Sequence, residues 1–289
     1  MNTVSIKISE VQVFEVERKL LDTGFKYKKD PNPYLKWKLV GYDVTALLYT
    51  SGKLVVQGNG DVQAVLDMIS GKEKVSLSPF IPHIGADEVG KGDFFGPLVV
   101  CACYIPQEGY EEVIKAGVGD SKKFRDDAIV RMYDVIKKSV IYTVKVIQPR
   151  EYNFEYIKFK NIAKLLANEH ALNIKALISK LGDMDIDYKY AVIDQFSTNK
   201  GRLEEYMSGI EFKQMHHAES QDLTVAAASV IARRYFVEQM DRLSQQYAFV
   251  FPKGATNVIE QGKQFVSKYG IAELENVAKT SFRTTLMIV

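Results

Sequence analysis

Residues 84–100 read IGADEVGKGDFFGPLVV, and the fold turns on how this stretch is read. An apolar start, Ile84-Gly85-Ala86, runs directly into Asp87 and Glu88. Gly90, Gly92 and Gly96 then turn the chain around Lys91, and PLVVCACY (97–104) carries it on as a second apolar strand. Carboxylates delivered by a buried strand are costly unless they are paired or bind a cation. The glycines do not spell a dinucleotide fingerprint, because their G-x-G-x-x-x-G spacing is followed by Pro97 and a strand where that motif needs a helix. The upstream glycine and following Ser or Thr of a P-loop are also missing. The spacing fits a glycine loop whose backbone can approach a phosphate, with Lys91 at its tip, and it equally fits a plain tight turn.

The chain beyond this stretch alternates strands and helices. SKKFRDDAIVRMYDVIKK (121–138) has helical periodicity and IYTVKVIQ (141–148) returns to a period of two. NIAKLLANEHALNIKALISKLG (161–182) is a long amphipathic helix, YAVIDQF (190–196) a short apolar strand, and LTVAAASVIARRYFVEQMDRLSQQ (223–246) a helix with a closely packing alanine-rich start. Two more helical stretches lie around 257–278. This pattern predicts an α/β domain with a central sheet flanked by helices. Asp194 is a further carboxylate in an apolar strand. An isolated Asp after a strand is usually a turn former or a cap, but Asp87, Glu88 and Asp194 recur in the same setting and together invite a hard cation, Mg²⁺ or Mn²⁺. Two such ions can activate water and stabilise the leaving oxygen of a phosphodiester.

Residues 3–70 read as a separate α+β unit. Val4, Ile6 and Ile8 alternate as a strand, Ser9 with Gln12 suits a capping box, and Val13, Val16 and Leu20 share a helical face. Leu35, Trp37 and Leu39 alternate with polar positions, TALLYT and KLVVQ form a hairpin about Ser51-Gly52, and DVQAVLDMIS supplies a second helix. The expected division is a domain over 1–72, a linker over 73–80 and a larger domain over 81–289.

Composition narrows the function classes. Hydrophobic residues are 46% and charged residues 26%, a globular balance that excludes wholesale disorder. No run approaches 18 apolar residues, and MNTVSIKISE alternates where a signal peptide carries a continuous apolar core, so neither secretion nor membrane insertion is expected. Cys101 and Cys103 fall on the same side of one strand, which is no disulfide framework and implies a reducing, cytoplasmic setting. The net charge of +2 comes from eleven basic against nine acidic residues in the first 80, with 27 of each in the rest. That surplus is too small to argue nucleic-acid binding. His216 and His217 have no zinc-like spacing to Cys103 or His83 and read as structural. Ser121 reads as a helix cap, and Lys122 either meets a phosphate or lies on a solvated helix surface.

DEVGKGDFFGPLVV, GVGDSKK, VIDQF, AESQDLTVAAASVIARRY and FPKGA, spread over residues 84–255, resemble in their order the successive motifs of bacterial ribonuclease HIII, a type 2 ribonuclease H. Ribonuclease HII, the related family, usually has Gly-Arg-Gly where this chain has Gly90-Lys91-Gly92, and usually lacks the extra N-terminal domain. The resemblance implies a ribonuclease H-like catalytic domain with a mixed central sheet, preceded by a substrate-binding domain similar to half of a TATA-box-binding protein. It implies an endonuclease that cuts the RNA strand of an RNA·DNA hybrid with Mg²⁺ or Mn²⁺, leaving 5′-phosphate and 3′-hydroxyl ends. Its acidic quartet maps to Asp87, Glu88, Asp194 and Glu219, with Asp222 a rival for the fourth place. Gly90, Lys91, Gly92, Ser121 and Lys122 are expected to bind substrate. A monomer without an obligate protein partner is expected. The competing expectations are a ribonuclease HII-like enzyme that cuts at single ribonucleotides in DNA, and a nucleic-acid-binding protein without catalysis.

Overall fold

Two separate sheets organise the chain in a computed structural model that describes residues 2–60, 62–69, 80–119, 121, 124–197, 199 and 201–289. Each sheet has its own core, in units that divide between residues 79 and 80. Residues 73–79 of the expected linker lie outside the described residues.

The first unit contains β1 (Asn2–Lys7), α1 (Glu10–Asp22), β2 (Lys26–Tyr27), β3 (Leu35–Gly41), β4 (Val44–Tyr49), β5 (Lys53–Gly58) and α2 (Val62–Ile69). Its sheet is antiparallel throughout, in the order β1-β5-β4-β3-β2. Helix α1 starts at the Ser9–Gln12 capping box, where the Ser9 amide donates to Gln12 Oε1 at 2.9 Å. Val16 and Leu20 from α1 and Val62 and Leu66 from α2 bury against Trp37, Leu39, Leu48, Leu54 and Val56. Those strand residues share one face of the sheet. By register, the opposite face carries Lys7, Lys26, Lys38, Thr45, Leu47, Lys53, Val55 and Gln57.

The second unit begins with β6 (Ile84–Val89), β7 (Leu98–Tyr104), α3 (Tyr110–Lys115), α4 (Asp126–Ile136), β8 (Ile141–Ile147), α5 (Pro149–Phe159) and α6 (Ile162–Gly182). It continues with β9 (Ala191–Asp194), α7 (Gly201–Glu204), β10 (Phe212–Met215), α8 (Leu223–Tyr247), α9 (Ile259–Tyr269), α10 (Leu274–Val277) and α11 (Thr285–Ile288). The sheet order is β10-β9-β6-β7-β8; β10, β9 and β6 run parallel, and β7 is antiparallel to both β6 and β8. Alternation along the central strands sends Ile84, Ala86, Leu98, Val100 and Ala102 to the core shared with α6. Val89, Val99, Cys101 and Cys103 go to the core shared with α8. Both cysteines are free thiols in the interior. None of the described helices is long and apolar enough to cross a membrane.

The structure departs from the sequence expectation in places. The helix expected from Ser121 starts at Asp126 with Arg125 at the cap, because the Ser121 side chain is spent on a buried partner instead. Strand β10 was not anticipated, since its four residues lack the apolar alternation that marks a strand. Helix α5 was also missed, although Pro149 at its first turn is a start signal.

Gly85 sets the spacing between β6 and α8. A Cβ there would lie 2.4 Å from the Thr224 carbonyl carbon and 2.5 Å from the Val225 amide nitrogen, both of them backbone atoms. The strand therefore lies directly against the first turn of α8. Gly85→Ala is expected to push the helix away at a cost of about 1–3 kcal/mol, lowering Tm by about 2–4 °C per kcal/mol in a chain of this size. Thermal unfolding monitored by circular dichroism checks it.

Candidate active site

Strand register brings the two isolated aspartates together. Strands β6 and β9 pair in parallel as Ile84↔Ala191, Gly85↔Val192 and Ala86↔Ile193, so Asp87 and Asp194 stand side by side one step further on. Residues paired this way present side chains to the same face. Gly85 lies against α8, and Val192 packs on Val225 of α8, so the shared face of Asp87 and Asp194 is the α8 face. Glu219 reaches this corner on a short 3₁₀ turn, Ala218–Ser220, and is 4% exposed. The amide of the preceding Ala218 donates to Asp194 Oδ1 at 2.7 Å, which ties that turn to the end of β9.

Asp87 is a strongly perturbed carboxyl. It is 6% exposed, and its pKa is raised well above the usual range, first by burial and then by the neighbouring charge of Glu88, with Asp194 adding to it. A hydrogen bond from Ser229 and another from the Glu88 amide, at 2.8 Å, pull the other way. Ser229 Oγ is also 2.8 Å from Ser121 Oγ. Either hydroxyl of that pair can be the donor, and Ser229 also hydrogen-bonds Asp87. The result is a buried file of Ser121, Ser229 and Asp87 that runs from the 121 turn through α8 to β6. Ser229 carries no sequence signal, being one small residue in an alanine-rich helix start; only its contacts with Asp87 and Ser121 reveal it.

Glu88 does not follow its neighbour. Adjacent strand residues point to opposite faces, and the Glu88 carboxylate lies on the α6 side, with Oε2 3.0 Å from His170 Nε2 and Oε1 3.6 Å from Lys91 Nζ. His170 is fully buried and stacks on Phe196 with ring centroids 5.2 Å apart. Asp87 and Glu88 thus sit at the same point along β6 but direct their carboxylates to opposite faces. Among the described residues, no three acidic, histidine or cysteine side chains already surround one point as a finished metal cage.

Asp222 is otherwise engaged. It is the N-cap of α8, with Oδ1 accepting from the Thr224 amide at 2.9 Å and the Val225 amide at 3.1 Å, and Oδ2 lies 2.9 Å from His83 Nε2. Burial opposes ionisation here, but His83 and the two amides outweigh it and hold the pKa below the usual range. Lys91 turns inward: its Nζ donates to the Phe196 carbonyl at 2.7 Å and lies 5.9 Å from the Phe196 ring centroid. Gly90 has φ +94°, and a Cβ there would be 2.2 Å from the Pro97 carbonyl oxygen, so the loop closes at its neck. Gly92 has open space where a side chain would go. Ser121 is buried, and Lys122 lies outside the described residues.

The donor set suits a small hard cation. Asp87, Asp194 and Glu219 on the α8 side, with Glu88 on the reverse of β6, offer only oxygen, and a divalent ion would relieve a carboxylate buried as Asp87 is. A mixed five-stranded sheet with carboxylates on its central strands is the frame of a ribonuclease H-like nuclease. The ribonuclease HII family model matches residues 84–285. Ribonuclease HIII of Protochlamydia amoebophila is 34% identical over 87% of this chain and 85% of its own length. Ribonuclease HIII of Streptococcus agalactiae is 31% identical over 99% of this chain and 97% of its own. Among solved structures, Bst-RNase HIII in complex with Mn²⁺ aligns with TM-score 0.68 at 28% identity, covering 99% of this chain and 98% of that one. Aquifex aeolicus RNase H3 aligns with TM-score 0.59 at 28% identity over 97% and 100%. The chain belongs to the ribonuclease HII family, in its ribonuclease HIII branch, and is an endoribonuclease.

A raised folded-state pKa at Asp87 has a definite consequence for stability. The protonated carboxyl favours the fold; that contribution is complete below the unfolded value, near 3.9, and is lost as pH rises through the folded one. Without divalent ions this carboxyl therefore contributes less to stability as pH rises from the acid range. Asp87→Asn is expected to raise Tm by a few degrees, roughly 2–4 °C for each kcal/mol relieved, in EDTA at pH 7. Added Mn²⁺ should stabilise the unsubstituted protein more than the variant. Thermal melts with and without the ion check both.

Proposed function

We propose that the chain hydrolyses the RNA strand of RNA·DNA hybrids at the corner formed by β6, β9 and the turn before α8, with Asp87, Glu88, Asp194 and Glu219 as the catalytic carboxylates. The observation that carries the reading is the pairing register that sets Asp87 beside Asp194 on the α8 face, in a chain whose family is that of the ribonucleases H of type 2. Glu219 is preferred to Asp222 as the fourth carboxylate because Asp222 already spends its oxygens on two amides and His83. Mg²⁺ or Mn²⁺ would be held by these oxygens; when bound, such ions lower the pKa of an attacking water and offset charge on the departing 3′ oxygen, leaving 5′-phosphate and 3′-hydroxyl ends.

The remaining work falls to the chain's own groups. Ser229, supported by Ser121, offsets part of the burial penalty on the Asp87 carboxylate and orients it, so Ser121 acts through Ser229 rather than by touching substrate. His170 steadies Glu88 from the opposite side. The backbone at Gly90, Lys91 and Gly92 is suited to meet the scissile strand and sense its 2′-hydroxyl, since Gly92 leaves room for close approach. Lys91 would balance charge at Glu88 and, if released from Phe196, reach a phosphate, with Lys122 as a second cation.

The N-terminal unit is read as a substrate clamp with the layout of half a TATA-box-binding protein. Within that unit one sheet face is covered by α1 and α2, and the other presents Lys7, Lys38 and Lys53 among small and apolar residues. That face suits a duplex backbone, with nonspecific, salt-sensitive affinity. All four carboxylates come from one chain, which favours a monomer, and the reduced thiols of β7 agree with a cytoplasmic setting.

Steady-state cleavage of a hybrid labelled in its RNA strand tests both halves. Asp194→Asn is expected to keep the Tm and hybrid affinity while lowering kcat roughly 10⁴-fold. The pair Lys7→Ala and Lys53→Ala is expected to raise KM several-fold with kcat unchanged, and to flatten the salt dependence by up to about one log unit per lysine. An unchanged rate for the Asp194 variant removes that residue from the mechanism. Efficient cutting of a duplex with a single embedded ribonucleotide would instead point to ribonuclease HII-like specificity.

A further inference from the structure

Lys279 is 0% exposed, an unusual position for an ammonium. Its Nζ donates to the Asp93 carbonyl at 2.8 Å and to the Gly96 carbonyl at 2.6 Å, and it stands 5.8 Å from the centroid of the Tyr152 ring. These two carbonyls belong to the stretch that follows the glycine loop. The loop neck is closed on itself, with Gly90 in contact distance of the Pro97 carbonyl and the Asp93 amide donating to Gly90 O at 3.2 Å. The same stretch is laced to the C-terminal chain by backbone bonds: Lys279 N to Phe94 O at 2.8 Å, Gly96 N to Val277 O at 2.9 Å, and a bridge between Phe95 and Ala278. A second strap comes from Gly254, whose amide donates to Asp93 Oδ1 at 2.7 Å while its carbonyl accepts from Phe94.

A lysine placed there is a costly choice. Burial pulls its pKa down to about 7, with the Asp93 charge opposing. An apolar side chain of the same length would avoid that penalty, but it would leave the Asp93 and Gly96 carbonyls without this donor. What an apolar side chain cannot do is donate to two carbonyls at once. We infer that Lys279 is a positioning residue for cleavage, its amine serving as the template around which residues 93–96 fold so that the Gly90–Gly92 backbone is presented to the scissile strand. The inference rests on the proposed role of that loop in substrate binding. It concerns a residue almost two hundred positions away from the loop in sequence and outside the acidic cluster.

The test uses the full-length protein with Mn²⁺ and a labelled RNA·DNA hybrid. Lys279→Met keeps the length and removes both donors; Lys279→Gln keeps one. Expected for the Met variant is a folded protein with at most a modest loss of Tm, the relieved ammonium offsetting the two unpaired carbonyls, and kcat/KM at 25 °C lowered about 10–100-fold, as ångström-scale misplacement produces, most of it in KM. The Gln variant should fall between Met and the unsubstituted protein. A folded Met variant with kcat/KM within about twofold of the unsubstituted protein overturns the inference. So does failure of both variants to fold, which would make Lys279 a support of the domain rather than of the loop. Absence of hybrid cleavage by the unsubstituted protein would sink the nuclease reading itself, a distinct outcome.

Discussion

Two aspartates held side by side on neighbouring parallel strands, Asp87 buried and Asp194 half-buried, are the constraint on which the site depends. Burial and the neighbouring charges of Glu88 and Asp194 together disfavour the ionised form of Asp87, and a partner of opposite charge would relieve it. The fold supplies hydrogen bonds from Ser229 and from the Ala218 amide, which orient oxygen atoms but bring no positive charge. Lys91 stands beside Glu88 and not beside Asp87. The arrangement makes sense as the protein's half of a metal site, built at a cost that the ion relieves.

The surrounding structure serves that corner. Gly85 lets α8 lie directly against β6, so Ser229 reaches Asp87 from one turn of the helix while Asp222 caps the helix start. His83, stacked on Tyr190 with ring centroids 4.9 Å apart, holds Asp222 and so fixes the first turn of α8, three residues from Glu219. On the other side of the sheet, α6 brings His170 to Glu88 and Phe196 covers the imidazole. Two opposite faces of one strand are thus each supplied with a helix that carries a hydrogen-bonding partner for a carboxylate.

Much of this was legible in the sequence, and the limits have physical reasons. The alternation of apolar residues and the long amphipathic helices identified the sheet and its cover, because periods of 2 and 3.6 survive in any context. Asp87 and Asp194 stood out because charge in an apolar strand is expensive. Their adjacency was not legible, since it depends on a parallel register between segments about a hundred residues apart. Ser229, His170 and Lys279 were missed for the same reason: each is ordinary in its local sequence and gains its role only from a contact across the fold. Ser121 shows the reverse error, where a local rule predicted a helix cap and a distant buried hydroxyl claimed the side chain.

The most direct measurement is an anomalous diffraction map from crystals grown with Mn²⁺ and a hybrid bound to the Asp194→Asn or unsubstituted protein. The account predicts density within coordination distance of Asp87 oxygen in the unsubstituted protein, shared with residue 194 and Glu219, with Asp222 still capping α8. Manganese bound elsewhere, with Asp87 and Asp194 making no contact to it, would contradict the account.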